Sequence, residues 1–252
     1  EMLNFFLQVA NFENYDRSSV RWFMSGAAPV PVSLIESYAE MDIEIQQVYG
    51  LTETCGPACL TDSEAARNKV GSTGKAFFHT EVKIADADGN ELPPNEAGEV
   101  LVRGPHIMRE YWNRPDATAE AIKDGWLYTG DSAIMDNDGY VYIQDRIKDI
   151  VISGGENVYP AEIEAVLMTH PVIVEAGVIG KKSAKWGESP FAIVVRQTDN
   201  HSENDVLKFC SDKLAKFKQP KGVAFIETIP RNPSGKILKR VLREQFPEPS
   251  PE

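Results

Sequence analysis

Apolar and polar positions change rhythm twice along this chain. The first 24 residues carry two apolar runs, Leu3, Phe5, Phe6 and Leu7, then Val20, Trp22, Phe23 and Met24, with no alternating strand set leading into them. Residues 33–39 predict a helix N-capped by Ser33, and 43–49 a strand. From Gly71 to Asp145 short strand-like segments dominate, at 81–84, 99–103, 134–135 and 140–143, with turns at Asp88-Gly89-Asn90 and Asp138-Gly139. A short helix at 116–122 interrupts them. Such spacing suggests a small, distorted β-barrel.

After Asp149 the pattern becomes α+β. Strands are predicted at 151–152, 174–179, 191–195 and 223–226. Helices are predicted at 161–168, with Pro160 at its start, at 203–216, with Val206, Leu207, Cys210 and Leu214 on one face, and at 237–245, which is basic. The fold class is therefore a mixture of α/β and α+β. Residues 1–145 read as part of a large domain with helix–strand pieces and a barrel, 146–149 as a hinge, and 150–252 as a small mobile domain. The Pro-rich tail from Pro247 reads as frayed, and no internal repeat is present.

Composition narrows the function. Apolar content of 42% and charged content of 25% suit an ordinary globular protein. No apolar run approaches the roughly 18 residues of a membrane span, and no basic-then-apolar leader opens the chain. Cys55, Cys59 and Cys210 are sparse and odd in number, without a partner pair at zinc-like spacing, so they read as reduced thiols of a cytoplasmic protein. His79, His106, His170 and His201 are scattered, with no pair at ligand or acid–base spacing.

The net charge of −12 lies wholly in the first part of the chain, because 149–252 hold equal numbers of acids and bases. Within that neutral part, 213–243 carry nine basic residues against one acid, Glu227. Overall acidity and the lack of interleaved aromatics argue against nucleic acid. A small polyanion such as ATP or CoA fits better, beside the plainer reading of a solvated basic helix.

Several segments offer chemistry. In Pro230-Arg231-Asn232-Pro233-Ser234-Gly235-Lys236, a Gly-bearing turn presents Lys236 on a mobile tip, a point charge able to follve negative charge developing on phosphate or carboxylate. Alone, such a lysine reads as a solvated surface residue. Tyr49-Gly50-Leu51-Thr52-Glu53 combines a stacking ring, a small residue, a hydroxyl donor and a hard oxygen ligand for Mg²⁺, against the alternative of a strand end and polar turn. Asp131, after Thr129-Gly130, can accept from two hydroxyls at once, although Asp after Gly is commonly a turn residue. Small residues at Ser25-Gly26-Ala27-Ala28-Pro29 let a flat group approach the backbone, or simply turn the chain. Gly71-Ser72-Thr73-Gly74 lacks the terminal Lys-Ser/Thr of a phosphate loop and reads as a glycine-rich turn.

Taken in order, Tyr49-Gly50-Leu51-Thr52-Glu53-Thr54, Tyr128-Thr129-Gly130-Asp131, Asp145-Arg146-Ile147-Lys148-Asp149 with Ser153-Gly154-Gly155-Glu156-Asn157, and Pro233-Ser234-Gly235-Lys236 resemble the adenylate-forming enzymes: acyl-CoA synthetases, luciferase and peptide-synthetase adenylation domains. The resemblance spans about Ser25 to Phe246. It implies Gly26, Ala27, Ala28, Tyr49 and Gly50 around adenine, Thr52 on the α-phosphate, Glu53 on Mg²⁺, and Asp131 with Arg146 on ribose. It further implies Lys148 as the hinge, Gly154 and Gly155 along the CoA thiol path, Trp186 near CoA, and Lys236 as the lysine bridging carboxylate and phosphate. For Trp186 a half-buried structural role reads equally well.

The implied activity is ATP-dependent formation of acyl-AMP from a carboxylic acid, then transfer to CoA. The runs Arg109-Glu110-Tyr111-Trp112-Asn113-Arg114-Pro115 and Gly154-Gly155-Glu156-Asn157-Val158-Tyr159-Pro160 look most like medium- to long-chain fatty-acyl-CoA ligases, with aryl-CoA ligases as the alternative. A peptide-synthetase module fits less well, because no carrier domain with its phosphopantetheine serine follows Phe246. The family's upstream Ser/Thr/Gly-rich phosphate loop is not in this sequence, which has about half the family's length. The chain therefore reads as the C-terminal half of such an enzyme, inactive alone or an inert AMP-binding piece.

Overall fold

The computed structural model describes residues 2–27, 30–198, 201–233 and 235–250. They fall into two compact units, Glu1–Ile143 and Gln144–Glu252.

In the first unit the early apolar runs form a helix, α1 (Met2–Gln8), and a strand, β1 (Phe23–Gly26). Leu3, Leu7, Phe12 and Phe23 pack against Leu34, Ile35 and Tyr38 of α2 (Val32–Ala39), and the Tyr38 hydroxyl donates to the Leu3 carbonyl at 2.7 Å. Pro31, not Ser33, occupies the N-cap of α2. The fixed φ of Pro31 sets the entry to the helix, and the Ser33 carbonyl instead accepts from the Ser37 hydroxyl at 2.9 Å. Next come β2 (Ile45–Leu51), β3 (Gly56–Leu60), α3 (Ser63–Asn68) and β4 (Lys75–Ala76), completing a sheet of order β1-β2-β3-β4 in which only β1 and β2 run parallel.

A second sheet comprises β5 (Glu81–Ala85), β6 (Gly98–Arg103), β7 (Ile122–Lys123), β8 (Trp126–Met135) and β9 (Val141–Arg146), with α4 (Pro115–Ala121) leading into β7. Its order is β5-β6-β8-β7, with β9 also paired to β8. Curled sheets of this kind replace a regular alternation.

The turn Gly71-Ser72-Thr73-Gly74 joins the two sheets. Thr73 N–H donates to the Val141 carbonyl at 2.8 Å, and Val141 N–H donates to the Gly74 carbonyl at 2.9 Å. The Ser72 hydroxyl bonds the same Val141 carbonyl at 3.0 Å, and accepts from Gly74 N–H at 2.9 Å. The glycines thus serve packing, as a turn rather than a phosphate loop.

In the second unit β10 (Val151–Ser153) and β11 (Glu156–Val158) form a hairpin, followed by α5 (Pro160–Leu167), β12 (Ile173–Ser183), β13 (Gly187–Arg196), α6 (Glu203–Ser211), β14 (Val223–Phe225) and α7 (Lys239–Gln245). The sheet order is β11-β10-β13-β12, with β14 parallel to β13. Its two faces carry separate cores. Ala176, Val178, Ala192 and Val194 pack toward Ile163 and Leu167 of α5 and Val206 and Cys210 of α6. Ile179, Phe191 and Ile193 pack with Ile229 and with Leu242 of α7. A sheet covered on both faces explains why β12 and β13 read as continuous apolar runs. Both strands extend well beyond their predicted ends, through charged positions such as Lys181 and Lys182.

Two further expectations change. Helix α6 stops at Ser211 and gives way to a turn in which Lys213 N–H and Leu214 N–H both donate to the Cys210 carbonyl, at 3.1 and 2.9 Å, although Leu214 stays buried. The tail does not fray completely: Ser250 is buried and its N–H donates to the Lys182 carbonyl at 2.9 Å. His170 and His201, 31 positions apart in sequence, meet edge to face with ring centroids 5.4 Å apart. Cys59 and Cys210 are buried free thiols, pushed up by burial to about 12 and about 11. No helix among the described residues is long and apolar enough to cross a membrane.

The joint makes a test. A Cβ on Gly74, whose φ is +90°, would lie 1.9 Å from the Leu60 carbonyl oxygen, whereas on Gly71, at φ +86°, the nearest atom is a Val32 methyl at 3.3 Å. Gly74→Ala is expected to destabilise by about 3 kcal/mol or more, and Gly71→Ala by only about 1 kcal/mol. Urea unfolding of the two variants checks this; equal losses would contradict the assignment.

Candidate nucleotide and thiol sites

In the first unit the residues expected at adenine and at ribose form one hydrogen-bonded pair. The Tyr49 hydroxyl donates to Asp131 Oδ2 at 2.7 Å, across 82 residues of sequence. Burial, then the neighbouring Asp131 carboxylate, pushes the phenol well above its ordinary value, so it stays a donor. Asp131 is itself buried. Its direction comes from a β-bulge: pairing of β6 with β8 slips between Glu99 and Leu101, Gly130 adopts φ +72°, and Gly130 N–H donates to the Glu99 carboxylate at 2.8 Å. Thr129 fixes the other side, donating to the Val100 carbonyl at 2.8 Å and accepting from Asp131 N–H at 3.2 Å. Such a bulge re-aims one side chain out of a strand.

Thr52 and Glu53 lie on a single 3₁₀ turn directly after β2. Buried Thr54 closes it, accepting from Leu51 N–H at 2.9 Å and donating to the Gly56 carbonyl at 2.6 Å. Glu53 Oε1 accepts from the Tyr111 hydroxyl at 2.8 Å, and the Glu53 carbonyl accepts from Met108 N–H at 2.8 Å. Sequence reasoning missed Tyr111 as a partner, because 58 residues separate the two. Among the described residues no three ligating side chains converge. One oriented carboxylate still suits Mg²⁺, which takes one or two protein oxygens and completes its shell with phosphates and water.

Gly26 ends β1 where a Cβ would meet Val48 Cγ1 at 2.5 Å, so close approach to β2 requires glycine there. Gly50 is equally confined, with the Gly56 carbonyl oxygen 2.3 Å from a notional Cβ. Ala27 is exposed at φ +70°. Ala28 lies outside the described residues.

In the second unit Gly154 and Gly155 are the two turn residues of the β10–β11 hairpin, at φ +63° and +89°. Two successive left-handed residues match the hairpin's twist, which explains both glycines independently of any ligand. Trp186 is brought to the same turn: its carbonyl accepts from Gly154 N–H at 2.9 Å, and its ring packs 3.0 Å from the notional Gly154 Cβ. The Trp186 side of this hairpin remains partly open, at 42% exposure. Arg146 is exposed at the end of β9, and Lys148 is exposed on the 3₁₀ turn Ile147–Asp149.

Lys236 is exposed on a loop that is cross-bonded, not loose. Asn232 N–H donates to the Lys236 carbonyl at 2.9 Å, Lys236 N–H donates to Asn232 Oδ1 at 2.9 Å, and Arg231 donates to the Gly235 carbonyl at 2.7 Å while gripping Glu175 at 3.0 Å. Arg231 and Asn232 are positioning residues that the motif quoted but assigned no role. The basic run is largely paired internally: Lys218 with Glu162, Arg231 with Glu175, Lys239 with Glu164, Arg240 with Glu244 and Arg243 with Asp149. That leaves less of it available to a polyanion than its charge suggests.

Comparison with known proteins gives the family. The family described as AMP-binding enzyme matches residues 1–112, and the AMP-binding enzyme C-terminal domain matches residues 162–236. The chain is 48% identical over 245 residues to the long-chain-fatty-acid–CoA ligase FadD13 of Mycobacterium tuberculosis, covering 97% of this chain and 48% of that protein. It is 46% identical over 231 residues to the 2-succinylbenzoate–CoA ligase of Bacillus mycoides, covering 92% of this chain and 48% of that protein. The o-succinylbenzoate CoA synthetase of Bacillus subtilis, solved with its acyl-adenylate intermediate, matches with a TM-score of 0.89 at 39% identity, over 100% of this chain and 50% of that one. The chain thus spans about half the length of the relatives it matches.

The Tyr49–Asp131 bond has a measurable weight. Tyr49→Phe removes a donor to a buried carboxylate and is expected to cost about 2 kcal/mol of stability, the scale for a hydrogen bond to a charged group. Denaturant midpoints of parent and variant check it; unchanged stability would show the bond to be incidental.

Proposed function

Since the chain belongs to the AMP-binding, adenylate-forming enzymes, we propose that it forms the C-terminal half of an ATP-dependent acid–thiol ligase. A substrate carboxylate oxygen bonds to the α-phosphorus of ATP as the bond to pyrophosphate breaks. The CoA thiolate then bonds to the acyl carbon, and AMP departs. Mg²⁺ supplies charge neutralisation on the phosphates, with Glu53 as its protein ligand.

The chain's own residues supply position and charge. The observation that carries the reading is the Tyr49–Asp131 pair, a ring bonded to a carboxylate that a bulge has turned out of β8. Tyr49 offers its face to adenine, with Gly26, Ala27 and Gly50 leaving room beside it. Asp131 accepts from ribose hydroxyls, with Arg146 as the second ribose contact. Thr52 donates to the α-phosphate. Lys236, held on its braced loop, bridges attacking carboxylate and phosphate, where oriented charge lowers the barrier most. Lys148 is the pivot between the half-reactions, and the Gly154-Gly155 hairpin with Trp186 lines the approach of the CoA arm.

For the acid we propose a medium- to long-chain fatty acid, supported by the likeness to the mycobacterial fatty-acid ligase at 48% identity. An aromatic acid is the second reading, favoured by the 2-succinylbenzoate ligases among the relatives. The 252 residues alone are expected to be inert in adenylation, because their Ser/Thr/Gly run followed by Lys, Gly71-Ser72-Thr73-Gly74-Lys75, is tied to Val141 as a sheet-joining turn and supplies no triphosphate-holding loop.

In the full-length protein, Lys236→Ala is expected to lower ATP–pyrophosphate exchange by roughly 10²–10³, the scale of one transition-state charge contact. Transfer from supplied acyl-AMP to CoA should fall far less. Equal losses in both half-reactions would remove Lys236 from the proposed role.

A further inference from the structure

Helix α7 grips both ends of the segment around Lys148. Lys239 and Arg243 are four residues apart and so share one helix face. Asp145 and Asp149 are likewise four apart and flank Lys148. Arg243 pairs with Asp149 at 2.7 Å, and Lys239 Nζ lies 4.0 Å from Asp145 Oδ1 and 3.0 Å from Glu164 Oε1. Asp145 Oδ2 also accepts from Ala161 N–H in the first turn of α5 at 2.8 Å, and Glu164 Oε1 accepts from Val178 N–H of β12 at 2.8 Å. The Asp145 and Lys239 side chains are only 7% and 13% exposed, unlike ordinary surface pairs, so the contact is little screened. The same helix begins three residues after Lys236.

Resting on the ligase reading above, we infer that this cluster is a hinge latch, in which Asp149–Arg243 is the fixed anchor and Asp145, held by Lys239 and Ala161, is the releasable catch. Asp149 and α7 lie on the same side of Lys148 in the chain. Changing the dihedrals at Lys148 leaves their pair intact but draws Asp145 away from both Lys239 and Ala161. The 4.0 Å separation makes the Lys239 contact the looser ion pair, and Lys239 keeps Glu164 when Asp145 leaves. No charge is then stranded, which is what allows a buried pair to open at low cost. Asp145 and Lys239 are positioning residues: they select which hinge state is occupied and touch no substrate.

Native-state hydrogen exchange in the full-length protein tests this without catalysis. A catch that opens on its own should let the Ala161 amide exchange at least about 100-fold faster than the Ala192 amide of the β13 core, with little denaturant dependence, as local openings do. Asp145→Asn should speed Ala161 further and leave Ala192 unchanged. In the two half-reactions the same variant should alter the ratio of adenylation to thioester transfer at least fivefold, whereas Asp149→Asn should depress both alike. Exchange of Ala161 only together with Ala192, or a proportional loss of both half-reactions in Asp145→Asn, would overturn the latch. A parent protein lacking both half-reactions would instead sink the ligase reading, and the exchange comparison would still decide whether the catch opens.

Discussion

The first unit is organised around a buried carboxylate that must be both turned out of its strand and kept supplied with donors. Asp131 can face Tyr49 only because Gly130 takes a left-handed conformation and the β6–β8 register slips beside it. An ionised group taken from water costs several kcal/mol unless hydrogen bonds replace its hydration, and the 2.7 Å bond from Tyr49 is one such replacement. The bond couples β2 of one sheet to β8 of the other, next to the turn that carries Thr52 and Glu53. Nucleotide contacts expected from two separate sequence motifs therefore depend on one sheet-to-sheet constraint.

The second unit solves a different problem, that of presenting an exposed lysine at a defined place. A lysine stem is flexible and costly to immobilise. Here the backbone is fixed instead: Asn232 closes the loop, Arg231 ties it to Glu175 on β12, and α7 packs Leu242 into the core immediately afterwards. The side chain stays exposed while its root is braced. The same helix reaches the chain around Lys148 through Asp145 and Asp149, so that segment and the Lys236 loop share one support.

Much of this was legible in the sequence because it is local. Short strand-like runs between turn residues marked most strands, and Pro160 marked the start of α5. Helix α3 escaped because Ser63–Asn68 has no apolar period; its signal was the Asp62 cap, whose Oδ1 accepts from Ala65 N–H at 2.7 Å. The ends of β12 and β13 were underestimated because polar and charged residues there, Lys181, Lys182, Glu188 and Ser189, break the apolar run while the backbone goes on pairing. What could not be read was partnership. Tyr49 with Asp131, Glu53 with Tyr111, and the two aspartates with the two basic residues of α7 are each separated by more than 50 positions. Residue type announced the chemistry, and only the fold announced the pairs.

The central claim is that Asp131, aimed by its bulge and held by Tyr49, is a nucleotide contact and not merely a buried structural acid. Calorimetric titration of AMP into the full-length protein and its Asp131→Asn variant tests it most directly. The amide keeps the size and one acceptor oxygen but loses the charge and the second acceptor. The account predicts a loss of AMP affinity of about 10-fold or more, one charged hydrogen bond's worth, with the variant still folded. Undiminished AMP binding by a folded Asp131→Asn protein would contradict it.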